Sequence, residues 1–275
     1  MSTRLLQTLL ASILLLCPQS GLRSNESGRL VAVDSQQMLL NCTGRKGPEP
    51  TVILEAGTGD SSEVWTAVQK QVQEFAHVCS YDRLGLGRSN KLVSPHTADE
   101  IVSDLHLLLK AAPVPPPYVM VGHSIGGIYV RKYAALHPQD VEGMVLLDSA
   151  HEEQFSRVSA LSPEWARRIA KKFSADDQRA NGFLPPNQQL NWRFDKPLIV
   201  IEHRQMPSTA APDPMAKQSE AVFHVLQKDL ASRSKYGQLR EANQSGHYIQ
   251  RDQPELVVQA IKDVIRDAQV NQGGR

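Results

Sequence analysis

The sequence predicts an α/β fold: a mostly parallel central sheet with helices on both faces. Three observations predict it. Short apolar runs of strand length recur along the chain, among them TVILEAG (51–57), PYVMV ending at Val121, and PLIVIE (197–202). They alternate with stretches whose apolar residues fall at helical spacing, such as DEIVSDLHLLLKAA (99–112). Before them, two strand-like runs flanking Asp34-Ser35 read as a hairpin. A hairpin followed by alternating strands and helices is the pattern of a parallel sheet covered on both sides.

At the N-terminus Arg4 precedes an apolar run from Leu5 to Leu16, too short to span a bilayer and typical of a secretory signal peptide, placed at residues 1–21. Cys17 at the end of that run offers an alternative, lipid attachment, and an uncleaved membrane anchor is another. The hairpin RLVAVDSQQMLLNCTG (29–44) opens a domain predicted over 29–275. After TVILEAG come a helix over SEVWTAVQKQVQEFA (62–76), the strand HVCSYD (77–82), the helix from Asp99 and the strand PYVMV. A helix begun by IYVRKY stops at Pro138, which cannot continue it. The sixth strand is VEGMVLLD (141–148). Residues 149–196 break the alternation with polar, helix-like segments such as SPEWARRIAKKF, and read as a helical lid inserted after that strand, over the carboxyl edge of the sheet where ligands bind in such folds. The strand PLIVIE and a last helix, PELVVQAIKDVIRDA (254–268), complete the series.

Composition narrows the function. A formal net charge of +1 across 275 residues argues against nucleic acid or another polyanion as partner, and 5% aromatics give little for base stacking. No repeat or metal-type Cys/His spacing occurs. His151-Glu152-Glu153 opens like a zinc motif, but no second histidine follows four positions on, so no metal site is predicted.

Chemistry enters at MVGHSIGG (120–127), where Gly122-His123-Ser124-Ile125-Gly126 stands between an apolar strand and a helix. A serine on so sharp a turn brings the residues two before and two after into close approach, where only very small side chains fit. Gly122 and Gly126 occupy those positions, making Ser124 a candidate nucleophile.

With EAGTGDSS (55–62) after the third strand, YDRLGLGRS (81–89) after the fourth and GHSIG at the turn, the chain resembles the α/β-hydrolase superfamily, in particular its serine esterase and lipase-like members, from about residue 30 to 268. The resemblance implies the α/β-hydrolase fold and a Ser, acid, His order along the chain. His247, in SGHYIQRDQPELV before the last helix, matches the terminal catalytic histidine. His123 is expected to support the turn, and His77, His106, His137, His203 and His224 to be solvated or satisfied in the core. The acid is expected at Asp148, ending the sixth strand, because the segment after PLIVIE lacks the usual aspartate-bearing turn; Glu202 and Asp213 are the alternatives. Backbone N–H groups of Ile125 and Thr58 are the implied oxyanion donors. YDRLGLGRS reads as a structural turn, with no catalytic role for Asp82.

The strand order of the superfamily also sets Cys42 beside Cys79, so a disulfide is expected in an exported chain. The implied activity is cofactor-free hydrolysis of a small-molecule carboxylic ester by a secreted or periplasmic protein with no stable membrane insertion after signal cleavage. Related triad enzymes (lactonase, aminopeptidase, cofactor-free haloperoxidase, acyltransferase) and a slow or non-catalytic ligand-binding protein on the same scaffold remain as alternatives. Asn25, Asn41 and Asn243 lie in sequons that a eukaryotic secretory pathway could glycosylate.

Overall fold

A computed structural model of the chain describes residues 28–92, 94, 96–164, 167, 192–204 and 214–273. The predicted signal peptide, Asp213 and most of the lid segment lie outside the described residues.

Eight strands form one sheet in the order β1-β2-β4-β3-β5-β6-β7-β8. They are β1 (Arg29–Val33), β2 (Gln36–Thr43), β3 (Thr51–Glu55), β4 (Val78–Tyr81), β5 (Tyr118–His123), β6 (Val141–Leu147), β7 (Leu198–His203) and β8 (Gly237–Ala242). The hairpin β1–β2 and the β2–β4 pair are antiparallel and the remaining pairs parallel, as predicted. Asp34 turns the hairpin at a φ of 49°, a left-handed conformation that a short polar side chain tolerates.

Among the described residues the helices are α1 (Thr66–Val72, entered through a 3-10 turn at Ser62–Trp65), α2 (Ala98–Ala111), α3 (Gly126–Leu136), α4 (Gln154–Leu161), α5 (Pro214–Ser232), the single turn α6 (Ile249–Asp252) and α7 (Pro254–Gly273). Helix α2 starts where its capping box dictates: Glu100 N donates to Thr97 Oγ1 at 3.3 Å, and Thr97 N to Glu100 Oε2 at 2.7 Å. The predicted helix over 62–76 is shorter, its regular part closing at Val72.

Strand alternation builds two cores. Met120, Met144, Leu146, Leu198 and Val200 face α2, α3 and the end of α5. Their neighbours Val119, Val121, Val145, Leu147, Ile199 and Ile201 face α1 and α7. A strand buried on both faces is apolar along most of its length, which is why β5, β6 and β7 carry the runs YVMV, MVLL and LIVI. Helix α5 and strand β8 are additional to the sequence reading. Strand β8, GQLREA, is an edge strand with only Ala242 fully buried, so it carries no apolar run. Among the described residues no helix is long and apolar enough to cross a membrane.

Chain direction places the site. From β3 the sheet extends one way to β4 and the other way to β5, and the loops leaving β3 and β5 open at the carboxyl edge between them.

The expected disulfide is present: Cys42 of β2 and Cys79 of β4 are opposite one another in register and bonded, their Cα atoms 4.0 Å apart.

Candidate active site

Ser124 follows β5 directly and has a φ of 53°, a left-handed backbone conformation that costs energy for any residue with a Cβ. The turn is over-determined by its neighbours. Ser124 N donates to Leu147 O at 3.0 Å, Gly127 N to Ser124 O at 3.0 Å, and Ala150 N to the same oxygen at 2.9 Å. Both flanking glycines are sterically required. A Cβ on Gly122 would lie 2.7 Å from Gly126 O, and one on Gly126 would lie 2.6 Å from Ala56 O. Ile125 then opens α3, whose first N–H groups and dipole favour negative charge.

Asp148 ends β6 beside this turn, also at a left-handed φ, 46°, and is 1% exposed. Its loop is fixed from both sides: Arg131 of α3 donates to Ala150 O at 2.8 Å, and Gln227 of α5 to Ser149 O at 2.8 Å. His247 reaches it from the loop after β8, with Nδ1 2.6 Å from Asp148 Oδ2. A carboxylate only accepts, so Nδ1 carries the proton and Nε2 of the neutral ring is left as a base. The His247 side chain is 47% exposed, which leaves that nitrogen accessible from the carboxyl edge. Asp252 Oδ2 accepts from Gly246 N at 3.1 Å and from Ser245 Oγ at 3.2 Å, bracing the loop one residue upstream.

The structure thus joins Asp148 to His247. Glu202, the alternative acid, is bonded elsewhere: its Oε2 lies 2.6 Å from His224 Nδ1.

His123, expected to support the turn, is buried and its side chain bonds to the His247 backbone. Its Nε2 lies 2.9 Å from His247 O, so that nitrogen donates and Nδ1 keeps its lone pair. Burial, aided by repulsion from His247, pushes its pKa down to about 3, and it is neutral at ordinary pH. A Cβ on Gly57 would meet His123 Nδ1 at 2.8 Å, so the loop bearing Thr58 can pass only as glycine.

That loop rests on a buried ion pair. Glu55, at the end of β3, is bonded to Tyr81 Oη and to Arg83 Nη1. Arg83 also donates to Ala56 O at 2.7 Å and to Gly57 O at 2.5 Å, and lies over the Tyr129 ring. Burial raises the Glu55 pKa, with Arg83 opposing it. The carbonyl of Gly57 and the N–H of Thr58 belong to one peptide plane, so Arg83 sets the direction in which that N–H points.

Asp82 is structural: Oδ1 accepts from Ser62 N at 2.7 Å and Oδ2 from Arg88 N at 2.8 Å. Glu152 of the zinc-like triplet is held by Arg131 and Arg233. Two groups of metal-type side chains cluster among the described residues, Cys42–His77–Cys79 and His106–His137–Asp140. The first is closed by the disulfide, and the second lies at the opposite end of α3 from Ser124.

His203, expected to be solvated or satisfied in the core, finds its partner in Asp148: its Nδ1 is 2.8 Å from both carboxylate oxygens, and its backbone N donates to Oδ1 at 2.9 Å. No local motif marks it, because its partner is 55 residues away in sequence. Burial pushes the Asp148 pKa up, but the hydrogen bonds from His203 and His247 reverse this and hold it below the usual carboxylate value.

Comparison with known proteins agrees with this architecture. The model of the alpha/beta hydrolase fold family matches residues 50–263. The chain is 32% identical over 225 residues to the uncharacterized protein YqjL of Bacillus subtilis strain 168, covering 80% of this chain and 85% of that one. Among solved structures it is similar to a thermophilic esterase from Thermogutta terrifontis, with a TM-score of 0.62, 18% identity and coverage of 88% and 99%. An enol-lactonase from Burkholderia xenovorans LB400 gives a TM-score of 0.60 at 16% identity, with coverage of 86% and 100%. At such identities the structural likeness speaks for the fold.

Proposed function

The chain belongs to the alpha/beta hydrolase fold family, and on that footing we propose that it is a serine hydrolase cleaving carboxylic esters through an acyl-enzyme on Ser124. The observation that carries this reading is the buried Asp148 carboxylate bonded to Nδ1 of His247 beside the strained Ser124 turn.

In this reading His247 Nε2 removes the Ser124 hydroxyl proton as Oγ attacks the ester carbonyl. Negative charge develops on the carbonyl oxygen, where the N–H groups of Ile125 and Thr58 receive it; such a donor contributes about 3 kcal/mol to the transition state. The imidazolium, stabilised by Asp148, gives its proton to the departing alcohol. Water then attacks the acyl-enzyme with His247 again as base, releasing the acid and restoring Ser124. Lactones are cyclic esters and fall within the same chemistry. Residues 149–196 would act as the lid over the acyl pocket, and residues 1–21 as an export signal, a placement with which the disulfide is consistent.

The test is hydrolysis of p-nitrophenyl esters from acetate to long acyl chains, with a fluorophosphonate label alongside. Ser124→Ala is expected to abolish labelling and to lower kcat by at least about 10³-fold, and Asp148→Asn to lower kcat by about 10²–10⁴-fold with labelling slowed in proportion. A folded wild-type protein that neither turns over nor labels would overturn the hydrolase reading and favour a ligand-binding protein on the same scaffold.

A further inference from the structure

His203 lies between two acids. Its Nδ1 is 2.8 Å from each oxygen of Asp148, and its Nε2 is 3.2 Å from Glu220 Oε1 of α5. Carboxylates accept and do not donate, so both ring nitrogens must carry protons; only the imidazolium form satisfies both contacts. The Phe223 ring packs against the imidazole with centroids 5.6 Å apart, and the His203 side chain is 12% exposed. The other charges around it are engaged among themselves: Arg204 with Glu241 of β8 and with Glu202, and His224 of α5 with Glu202. Asp148 Oδ2 therefore accepts from two histidines at once, His203 from the end of β7 and His247 from the loop after β8.

We propose that His203 is a positioning residue for the catalytic site: a doubly protonated clamp, held by Glu220, that fixes the Asp148 carboxylate in the orientation in which it accepts from His247. This rests on the reading of Asp148 and His247 as partners of Ser124. The clamp gives Asp148 a defined orientation, gripping both carboxylate oxygens from one side. It also adds a fixed positive charge close to the base. The two acids hold the His203 proton strongly: the Asp148 hydrogen bond, followed by that of Glu220, raises its pKa to about 10.

The direct test is long-range ¹H–¹⁵N correlation of the histidine side chains in the full protein, with His203 assigned by the signals lost in His203→Asn. Both His203 nitrogens are expected in the protonated range, without titration between about pH 5.5 and about pH 8.5, and Glu220→Gln should bring a titration into that window. A singly protonated His203 that titrates near its ordinary value overturns the clamp, and this readout does not depend on turnover. In parallel, His203→Asn, which keeps a hydrogen-bond donor without the charge, should lower kcat per folded molecule by about tenfold or more with KM little changed. A merely structural residue would alter folded yield without lowering kcat per folded molecule, so an unchanged kcat in folded His203→Asn also overturns the proposal. Absence of wild-type turnover and labelling would overturn the hydrolase reading instead, leaving the spectra to decide the protonation of His203.

Discussion

Gly126 touches the end of β3 so closely that a methyl group there would lie within 2.7 Å of two backbone carbonyls, those of Ala56 and Glu55. Neither oxygen can move without shifting the strand. Gly126→Ala is therefore expected to cost about 1–3 kcal/mol of stability and to displace Ser124, with ester hydrolysis falling more than thermal stability would suggest. Chemical denaturation and kinetics on one preparation would separate the two losses. Glu55 makes a second residue-level prediction. With its carboxylate removed, Arg83 is left as a buried charge, so Glu55→Gln should destabilise the fold by about 3–5 kcal/mol. Retention of full stability would mean that the Ala56 and Gly57 carbonyls suffice for Arg83. The GHSIG spacing was legible in sequence because its steric rule is local, and the structure repeats that rule at Gly122 and Gly126. His203 was not legible, since nothing in IEHRQ marks a histidine whose partners come from two other elements.

At the scale of elements, legibility follows burial. Strands β5, β6 and β7 are covered on both faces and were read directly from their apolar runs, whereas β8 is a half-exposed edge strand whose polar alternation gave no such signal. Helix α5 was missed with it, although it supplies Glu220, Phe223 and Gln227 around Asp148. The disulfide belongs to this scale too. It joins β2 to β4 across a separation of 37 residues, on the far side of β3 from β5 and β6. Replacing both Cys42 and Cys79 by alanine should cost about 3 kcal/mol, chiefly by freeing the unfolded chain. Hydrolytic activity of the folded fraction should survive that change, as measured by active-site labelling per folded molecule.

For the whole molecule, opposed ionisations set the pH range of stability. His123 is buried neutral, its pKa pushed from 6.5 down to about 3, so its contribution is lost as pH falls through that interval. Glu152 adds to the acidic loss: burial would raise it, but Arg131 overrides this and brings it from 4.5 down to about 2, and stability held above 4.5 drains away below it. His203 has the opposite sign. Raised from 6.5 to about 10, it stabilises fully below 6.5 and ceases to do so as pH climbs toward 10. Thermal melts should accordingly peak near pH 6.5, and the margin of wild type over His203→Asn should shrink steadily on the alkaline side. A margin independent of pH would show that His203 stabilises without its charge. The covalent tie between β2 and β4 has a further consequence. The connection between them begins with an exposed stretch, Gly44 to Pro48, that contains Arg45 and Lys46. A trypsin cut there severs the chain but leaves the amino-terminal hairpin fastened to the body, so a nicked molecule runs as one band without reductant and releases a short amino-terminal peptide only when the sulfur–sulfur bond is opened.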